Sequence, residues 1–285
     1  MIGGLLDCDR PEERNCGHSP VRRMQHRYTA DLGDFGKYGL LRALCSSGTE
    51  NGPTLSLGVI WYLIPDEGHN ADGKHVRYLS STPFNEKTFR KCDPELYDHL
   101  SAIIQGTNRN VVEIRTRGLP IPDTTFYEDT LNYKAVPLGD RRAHRAEWAT
   151  RARLAVAEKD IVFADPDNGF EVSSCASHHA SGGKYAFFAE LREIINRNQS
   201  LVVYHHLNRR RSAAKEIRAR FEDIRKEFGR DQDVFALHYH RGTARVFFVV
   251  PAPETATLLR RRAEDRIVRG PWGQHFDLLD LRSPL

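Results

Sequence analysis

Apolar runs and amphipathic segments alternate along the chain, and their order predicts the secondary structure. Three short runs that are apolar at nearly every position are typical of buried strands in a parallel sheet. Segments whose apolar residues recur every three or four positions are typical of amphipathic helices. The pattern predicts strands at 55–64, 161–164 and 201–205 and helices at 32–45, 140–158, 186–197, 217–228 and 254–266.

The last two apolar runs, 234–239 and 244–250, are separated by four residues. So short a connection allows only an antiparallel pair of strands. We therefore expect an α/β fold, with a Rossmann-like three-layer sheet that is mostly parallel and has a C-terminal antiparallel hairpin. Residues 80–135 are interpreted as a small helical insertion that contains a short strand at 111–114.

The composition is that of an ordinary globular protein, with 40% hydrophobic and 28% charged residues. No apolar run is long enough to cross a membrane. Five cysteines without a regular framework favour a reducing compartment, and the expected location is cytoplasmic. The net charge is +4, with arginine runs at 209–211 and 260–262. These runs permit contacts with RNA or DNA phosphates, although solvated helix faces explain them about as well.

Residues 1–27 show no hydrophobic periodicity, and we expect a poorly ordered lead-in to a single domain of residues 28–285. This lead-in contains cysteines and histidines of the kind that bind zinc. Their spacing matches no standard zinc knuckle, so the pattern gives a zinc site little support. The residues concerned are Cys8, Cys16, His18 and His26.

The strand predicted at 161–164 leads into the sequence Asp-Pro-Asp-Asn-Gly at 165–169, and Glu171 adds a further carboxylate. In open α/β sheets, ligands bind beyond the carboxyl ends of the strands. This stretch is therefore the first candidate for an active-site loop. The same residues also fit an ordinary type I turn that is capped by Asp165, so both interpretations stay open.

Polar residues also follow the strands predicted at 55–64 and 201–205. The first of these loops lies where nucleotide-binding folds place a cofactor loop, but its glycines match neither G-x-G-x-x-G nor a P-loop. We expect the polar groups beyond all three strands to converge above one edge of the sheet. The residues of these loops that we single out are Asp66, Gly68 and Gly73 after the first strand, and His205, His206 and Arg209 at the end of the last strand.

The helix predicted at 32–45 carries three glycines on one face, and each costs a helix roughly 1 kcal/mol relative to alanine. Such a cost indicates that the backbone lies very close to another element or to a ligand. Asp34 lies in the first turn, where negative charge is favourable, and Lys37 and Tyr38 belong to the same segment. Helix packing alone and a ligand site both remain compatible with this pattern.

The predicted cluster fits more than one chemistry. In group transfer, Asp165 accepts a hydrogen bond from a target amino group and orients its lone pair toward the donor, and an aromatic side chain stacks on the flipped base. In metal-assisted hydrolysis, Asp165, Asp167 and Glu171 supply the oxygen ligands that Mg²⁺ prefers, and His205 or His206 acts as a base. A non-catalytic Rossmann-like binding module is the third alternative.

Four segments resemble the RlmJ-type ribosomal RNA adenine-N6 methyltransferases in order and spacing. They are the helix from Asp31 to Leu44, the strand that leads into Asp165-Pro166, the strand that ends at Tyr204, and the hairpin turn at 241–244. The resemblance implies a class I methyltransferase fold, S-adenosylmethionine as the cofactor, and Asp165 in the catalytic position. The chain also resembles uncharacterised bacterial and phage proteins that carry Gly-Asp-Phe-Gly-Lys-Tyr together with Asp-Pro-Asp-Asn-Gly.

The chain departs from the family pattern at two places. Asp167 and Asn168 stand where the family has Pro-Tyr, so the stacking aromatic is missing and Phe170 is the candidate to replace it. Pro-Asp-Glu-Gly at 65–68 stands in place of the glycine-rich cofactor loop. The leading prediction is methylation of nucleic acid with S-adenosylmethionine, and the alternatives are a Mg²⁺-dependent nuclease or phosphohydrolase of a phage or mobile-element system and a silent binding module.

The strand-end argument and the resemblance together give the expected site. The expected catalytic residues are Asp165, Asp167, Asn168 and His205; the cofactor-binding residues are Lys37, Asp66, Gly68, Gly73 and Glu171; and the substrate-binding residues are Asp34, Tyr38, Phe170, Lys184, His206, Arg209 and Arg241.

Overall fold

The computed structural model describes residues 28–47, 52–65, 75–106, 109–117, 119, 121, 123–207, 212–229, 233–243 and 245–280. The strands in these residues are short and mostly buried. They are β1 (Leu57–Trp61), β2 (Thr124–Tyr127), β3 (Ile161–Asp165), β4 (Gly169–Phe170), β5 (Tyr185–Ala186), β6 (Ser200–His206), β7 (Phe235–Tyr239), β8 (Arg245–Val250) and β9 (Phe276–Asp280).

Seven of the described strands form one mixed sheet in the order β2-β1-β3-β6-β8-β7-β9. The pairs β1–β2, β1–β3 and β3–β6 are parallel. The pairs β6–β8, β7–β8 and β7–β9 are antiparallel. Strands β4 and β5 form a small separate parallel pair beyond the end of β3. This arrangement confirms the predicted α/β sheet with an antiparallel C-terminal part.

Helices cover both faces of the sheet, and none in the described part of the chain is long and apolar enough to span a bilayer. Short 3₁₀ turns lie at 77–79, 90–92, 133–135, 138–140 and 180–184, and a π-helical segment, Ala263–Val268, follows the last α-helix. The α-helices are α1 (Leu32–Cys45), α2 (Pro83–Thr88), α3 (Pro94–Gln105), α4 (Val111–Arg117), α5 (Arg141–Ala155), α6 (Phe188–Asn196), α7 (Ala213–Phe228) and α8 (Ala256–Arg262).

Two hydrophobic clusters lie on opposite faces of the sheet, because successive strand residues point to opposite sides. Helices α1, α3, α4 and α8 pack on one face, which we call the α1 face, against Val59, Phe163 and Phe247. Helices α5, α6 and α7 pack on the other face, the α7 face, against Val162 and Phe248. The molecule therefore has the three-layer architecture that the sequence predicts.

The segment 80–135 departs in detail from its sequence interpretation. Residues 111–114, expected to be a strand, begin helix α4, where the Asn110 side chain accepts a hydrogen bond from the Glu113 N–H at 3.1 Å. Residues 124–127 form a parallel strand beside β1. The segment thus provides the crossover from β1 to β2, and its helices contribute to the core of the α1 face.

Helix α1 begins and packs as its sequence indicates. Asp31 caps it by accepting a hydrogen bond from the Asp34 N–H at 2.9 Å. A methyl group on any of its three glycines would collide with a neighbouring side chain: Arg245 at Gly33, Tyr239 at Gly36 and Trp272 at Gly39. Of the two explanations for these glycines, close packing against other elements is therefore the one that the structure supports.

Candidate functional site

The polar end of strand β3 lies at the point where the chain reverses its direction across the sheet. From β1 the chain passes over the α1 face to β2, whereas from β3 it passes over the α7 face to β6 on the other side. The last residues of these strands, Trp61 and Asp165, are neighbours in the parallel register. Ligands of open α/β sheets bind at such a topological switch point, beyond the carboxyl ends of the strands.

An ion-paired triad joins helix α1 to strand β3 at this switch point. The Lys37 Nζ atom lies 2.7 Å from Asp165 Oδ2 and 2.9 Å from Asp34 Oδ1. The second oxygen of Asp34 accepts a hydrogen bond from the Ala30 N–H at 2.9 Å, which fixes this carboxylate at the start of α1. The structure therefore brings together three of the predicted site residues, Asp34, Lys37 and Asp165.

Charge pairing controls ionisation in this triad. Burial disfavours the charge on Lys37, but the carboxylates of Asp165 and Asp34 outweigh that effect, and the pKa of Lys37 lies well above its ordinary value. Burial raises the pKa of Asp165, and the Lys37 ammonium opposes this rise. The ammonium group therefore remains charged at physiological pH and holds the Asp165 carboxylate in one orientation.

Some hydrogen-bonding capacity at the switch point is unused among the residues that the structure describes. An ammonium group has three N–H donors, and Asp165 and Asp34 occupy two of those of Lys37. Lys37 contacts only Oδ2 of Asp165, which leaves Oδ1 as an acceptor. The indole Nε1 of Trp61 is buried close to the Tyr38 hydroxyl, which interacts with it. The remaining N–H of Lys37 and the free oxygen of Asp165 fit a polar ligand.

Tyr204, His206 and Arg245 extend this side of the site. Strand alternation places Tyr204 and His206 on the same face as Val202, which is the α1 face. The Tyr204 hydroxyl lies 3.5 Å from His206 Nδ1. The Arg245 guanidinium lies against the first turn of α1, 3.7 Å from Asp31. His206 thus lies on the same face of the sheet as the triad, and its role as a substrate residue stays a prediction; Arg245 is not among the predicted site residues.

His205 does not join this cluster, and the expectation that it meets Asp165 above one edge of the sheet is wrong. Its side chain is 2% exposed and points to the α7 face, where Nε2 lies 3.3 Å from Glu216. Its Nδ1 atom accepts a hydrogen bond from the Phe170 N–H at 3.2 Å. Gly169, with φ at +102°, lets the backbone approach this ring, since a Cβ there would lie 2.1 Å from Nδ1.

Two aromatic residues proposed to contact the substrate belong to the core instead. Phe170 is fully buried and stacks on Phe188 with ring centroids 4.9 Å apart, so it is not available to stack on a base. Tyr38 is 1% exposed, and burial raises the pKa of its hydroxyl well above the ordinary value. The expectation that Phe170 and Tyr38 contact a substrate is therefore wrong. Each side chain stabilises packing and has no surface for a substrate.

Glu171 also lies on the α7 face, away from the triad. Its carboxylate accepts a hydrogen bond from the Phe188 N–H at the start of α6, at 2.8 Å. It lines a cavity of about 920 Å³ between α6 and α7, together with Glu216 and Arg220. Burial raises the pKa of Glu171, and the hydrogen bond from Phe188 opposes this rise. The expectation that Glu171 lies with the other residues of the cofactor site is therefore wrong.

The alternative magnesium site is not assembled. Among the described residues, Asp165, Asp167 and Glu171 do not come close enough together to share an ion. The ammonium of Lys37 contacts Asp165 where a cation would sit, and Glu171 lies on the opposite face of the sheet. The donor set required for metal-assisted hydrolysis by these three residues is consequently not present at the switch point.

The remaining nominated residues surround the loop after β3 or lie farther along the same edge. Asp167 and Asn168 are half-buried, and the Asn168 N–H donates to the Lys184 carbonyl at 2.9 Å, so this N–H does not close the type I turn that the sequence also suggested. Arg241 donates from Nε to His275 Nδ1 at 2.7 Å. Residues outside the described part of the chain are Asp66, Gly68, Gly73 and Arg209, and the proposed zinc ligands Cys8, Cys16, His18 and His26.

Sequence reasoning missed Trp61 and Arg245 at this site. Trp61 lies in the apolar run that predicts β1, and nothing in that run distinguishes a switch-point indole from a core residue. Arg245 begins β8, where a charged residue in an otherwise apolar strand is a usable signal. Its burial against α1 becomes visible only when the sheet order places β8 beside β6.

Comparison with known proteins adds little to this description. No protein-family model matches the chain, and no curated protein matches it. Among solved structures, the chain is similar to protein LPL1258 from Legionella pneumophila str. Philadelphia 1, family-model DUF519, with 10% sequence identity and a TM-score of 0.41. The alignment covers 89% of this chain and 98% of that chain. A likeness of this degree carries no argument about function.

Proposed function

We propose that this protein is an S-adenosylmethionine-dependent methyltransferase that acts on an amino group of nucleic acid. The observation that carries the proposal is the position of Asp165 at the topological switch point, where it is held by Lys37 at 2.7 Å. The resemblance to RlmJ-type enzymes assigns the catalytic carboxylate to this same residue. Position and resemblance support the same role.

The groups that remain unpaired at the switch point suit this cofactor and this target. The third N–H of Lys37 is a donor for a carboxylate, such as the one in the methionine part of S-adenosylmethionine. Oδ1 of Asp165 is an acceptor for the N–H of a target amino group. When bound, S-adenosylmethionine supplies an electrophilic methyl group on a sulfonium centre.

Asp165 orients the target and Lys37 positions Asp165. By accepting a hydrogen bond from the amino group, the Asp165 carboxylate directs the nitrogen lone pair toward the donor methyl, which is catalysis by orientation. When the N–C bond forms and the methyl C–S bond breaks, the sulfonium becomes a neutral thioether and the nitrogen must lose a proton, which the Asp165 carboxylate that holds its N–H would accept. Lys37 acts through Asp165, because its ammonium fixes the carboxylate and balances its charge.

The charge of the chain is compatible with a nucleic acid substrate. The net charge is +4 and the isoelectric point is about 8.8. Arg241 is half-buried and lies at the same edge of the sheet as Asp165, since β8 begins where β3 and β6 end, whereas Arg245 is buried against α1. A cation such as Arg241 at this edge suits a phosphate of a strand whose base enters the switch point.

The proposal is tested by methyl transfer from radiolabelled S-adenosylmethionine to RNA and DNA. We expect Asp165→Asn to lower kcat by at least about 100-fold, the usual range for loss of a positioned acid–base group. Asp160→Asn is the matched control, because Asp160 lies just before the opposite end of the same strand and bonds to Ser56. Its kcat should equal that of the wild type.

Two results would contradict the proposal. Equal activity of Asp165→Asn and Asp160→Asn would remove Asp165 from the reaction. Binding of S-adenosylmethionine without transfer to any nucleic acid would instead favour the non-catalytic binding module.

A further inference from the structure

Two histidines and an aspartate meet on the α7 face of the last two strands of the sheet, on the opposite face from the triad. His238 lies in β7 and His240 follows its end, so their side chains, two positions apart, share one face. Asp277 in β9 lies directly opposite His238 in the antiparallel register. One nitrogen of each imidazole and one Asp277 oxygen all lie within 4.8 Å of one another.

We propose that His238, His240 and Asp277 bind a divalent transition-metal ion such as Zn²⁺. Two imidazoles and a carboxylate are a donor set that zinc accepts, with its fourth position open to water or to another ligand. Magnesium and calcium prefer sites made of oxygen atoms, so the two nitrogens select against them. The site is distinct from the switch point and does not depend on the proposed methyl transfer.

The backbone holds the three side chains in place before any ion binds. His238 is fixed by pairing on both sides, with β8 and with β9. The N–H of His240 donates to the His275 carbonyl at 2.9 Å, which continues the contact between these segments beyond the end of β7. Ligands carried by paired strands keep their spacing better than ligands carried by loops. Binding therefore requires only rotation of side chains.

The side chains are also accessible and already close together. His240 Nε2 lies 2.7 Å from Asp277 Oδ2, and the rings of His238 and His240 have centroids 4.3 Å apart. The side chain of Asp277 is 63% exposed and that of His240 is 37% exposed, so an ion reaches them from solvent. An ordinary cross-strand ion pair explains His240 and Asp277, but it gives no role to the adjacent imidazole of His238.

Competition between the full-length protein and a chromogenic chelator for Zn²⁺ tests the site. We expect the wild type to bind one equivalent of Zn²⁺. Asp277→Asn and His238→Ala should each weaken this binding at least tenfold, because removing a ligand costs at least as much as removing an outer-shell partner. Asp277→Asn is the decisive variant, since its exposed side chain is not needed for packing. Circular dichroism confirms that each variant is folded.

Two control variants separate this site from other zinc ligands. His178→Ala with His179→Ala removes a second neighbouring histidine pair, with ring centroids 4.9 Å apart, and should leave binding unchanged. Cys8→Ser with Cys16→Ser removes the thiols near the N-terminus and should also leave it unchanged. The proposal is overturned if the wild type does not bind Zn²⁺, if Asp277→Asn binds as well as the wild type, or if either control variant loses the bound equivalent.

Discussion

The imidazole of His205 is enclosed by polar groups that fix its tautomer. Its Nδ1 atom accepts from the Phe170 N–H, so the ring proton lies on Nε2, which faces Glu216 at 3.3 Å. Burial lowers the pKa of His205, and the hydrogen bond to Glu216 opposes this effect. The residue therefore acts as a neutral structural link between β6, β4 and α7. The sequence showed a histidine at a strand end, but its partners come from residues far along the chain.

This environment predicts a specific pH dependence. In the unfolded chain, His205 binds a proton below about pH 6.5, whereas the folded protein resists protonation to lower pH. The wild type should therefore lose stability as pH falls from about 6.5 through the lowered folded pKa. His205→Gln removes this loss. The difference in free energy of unfolding between this variant and the wild type should therefore shrink as the pH falls from 7.5 to 5.

Urea unfolding of both proteins at the two pH values measures this difference. His179→Gln is the control, because that side chain is exposed and should leave the pH dependence of the wild type intact. A His205→Gln difference that stays constant with pH would contradict the neutral assignment.

Helix α1 is the element whose structure the sequence predicts most completely. Its bounds, the Asp31 cap and the single face shared by its glycines all follow from local pattern. The partners of that face do not, because Tyr239 and Trp272 are about 200 positions away along the chain. Helix α4 shows the opposite case: Val-Val-Glu-Ile favours a strand by residue type, but the Asn110 cap and the burial of Ile114 on the α1 face produce a helix.

Close packing predicts that Gly39→Ala destabilises the protein. A Cβ at this position would lie 2.1 Å from the ring of Trp272, which is 3% exposed and has little room to move. Alanine gains about 1 kcal/mol in helix propensity, but overpacking typically costs about 1–3 kcal/mol and strain of this size should exceed the gain. Thermal and urea unfolding should show a net loss of stability.

Gly139→Ala is the control for this substitution, because nothing lies within 4 Å of a Cβ built at Gly139. Its free energy of unfolding should remain within about 0.5 kcal/mol of the wild type, as for most surface changes. If Gly39→Ala were as stable as Gly139→Ala, the account of the glycine face would be wrong.

At the scale of the whole molecule, one sheet separates two polar clusters that the sequence suggested were one. Tyr204 and His206 point to the α1 face and His205 to the α7 face, because a shift of one residue in a strand changes the face. The fold class and the polar strand ends follow from hydrophobic pattern. The division of those ends between two faces depends on where each strand begins, which pattern alone does not define to a single residue.

The switch point as the cofactor site is the central claim, and calorimetric titration with S-adenosylmethionine tests it most directly. We expect one molecule bound per chain, and binding about tenfold weaker in Lys37→Met, which loses one charge-assisted hydrogen bond. His205→Gln, on the opposite face, should bind like the wild type when both variants are shown to be folded. Absence of binding to the wild type, or an equal loss in His205→Gln, would contradict the account.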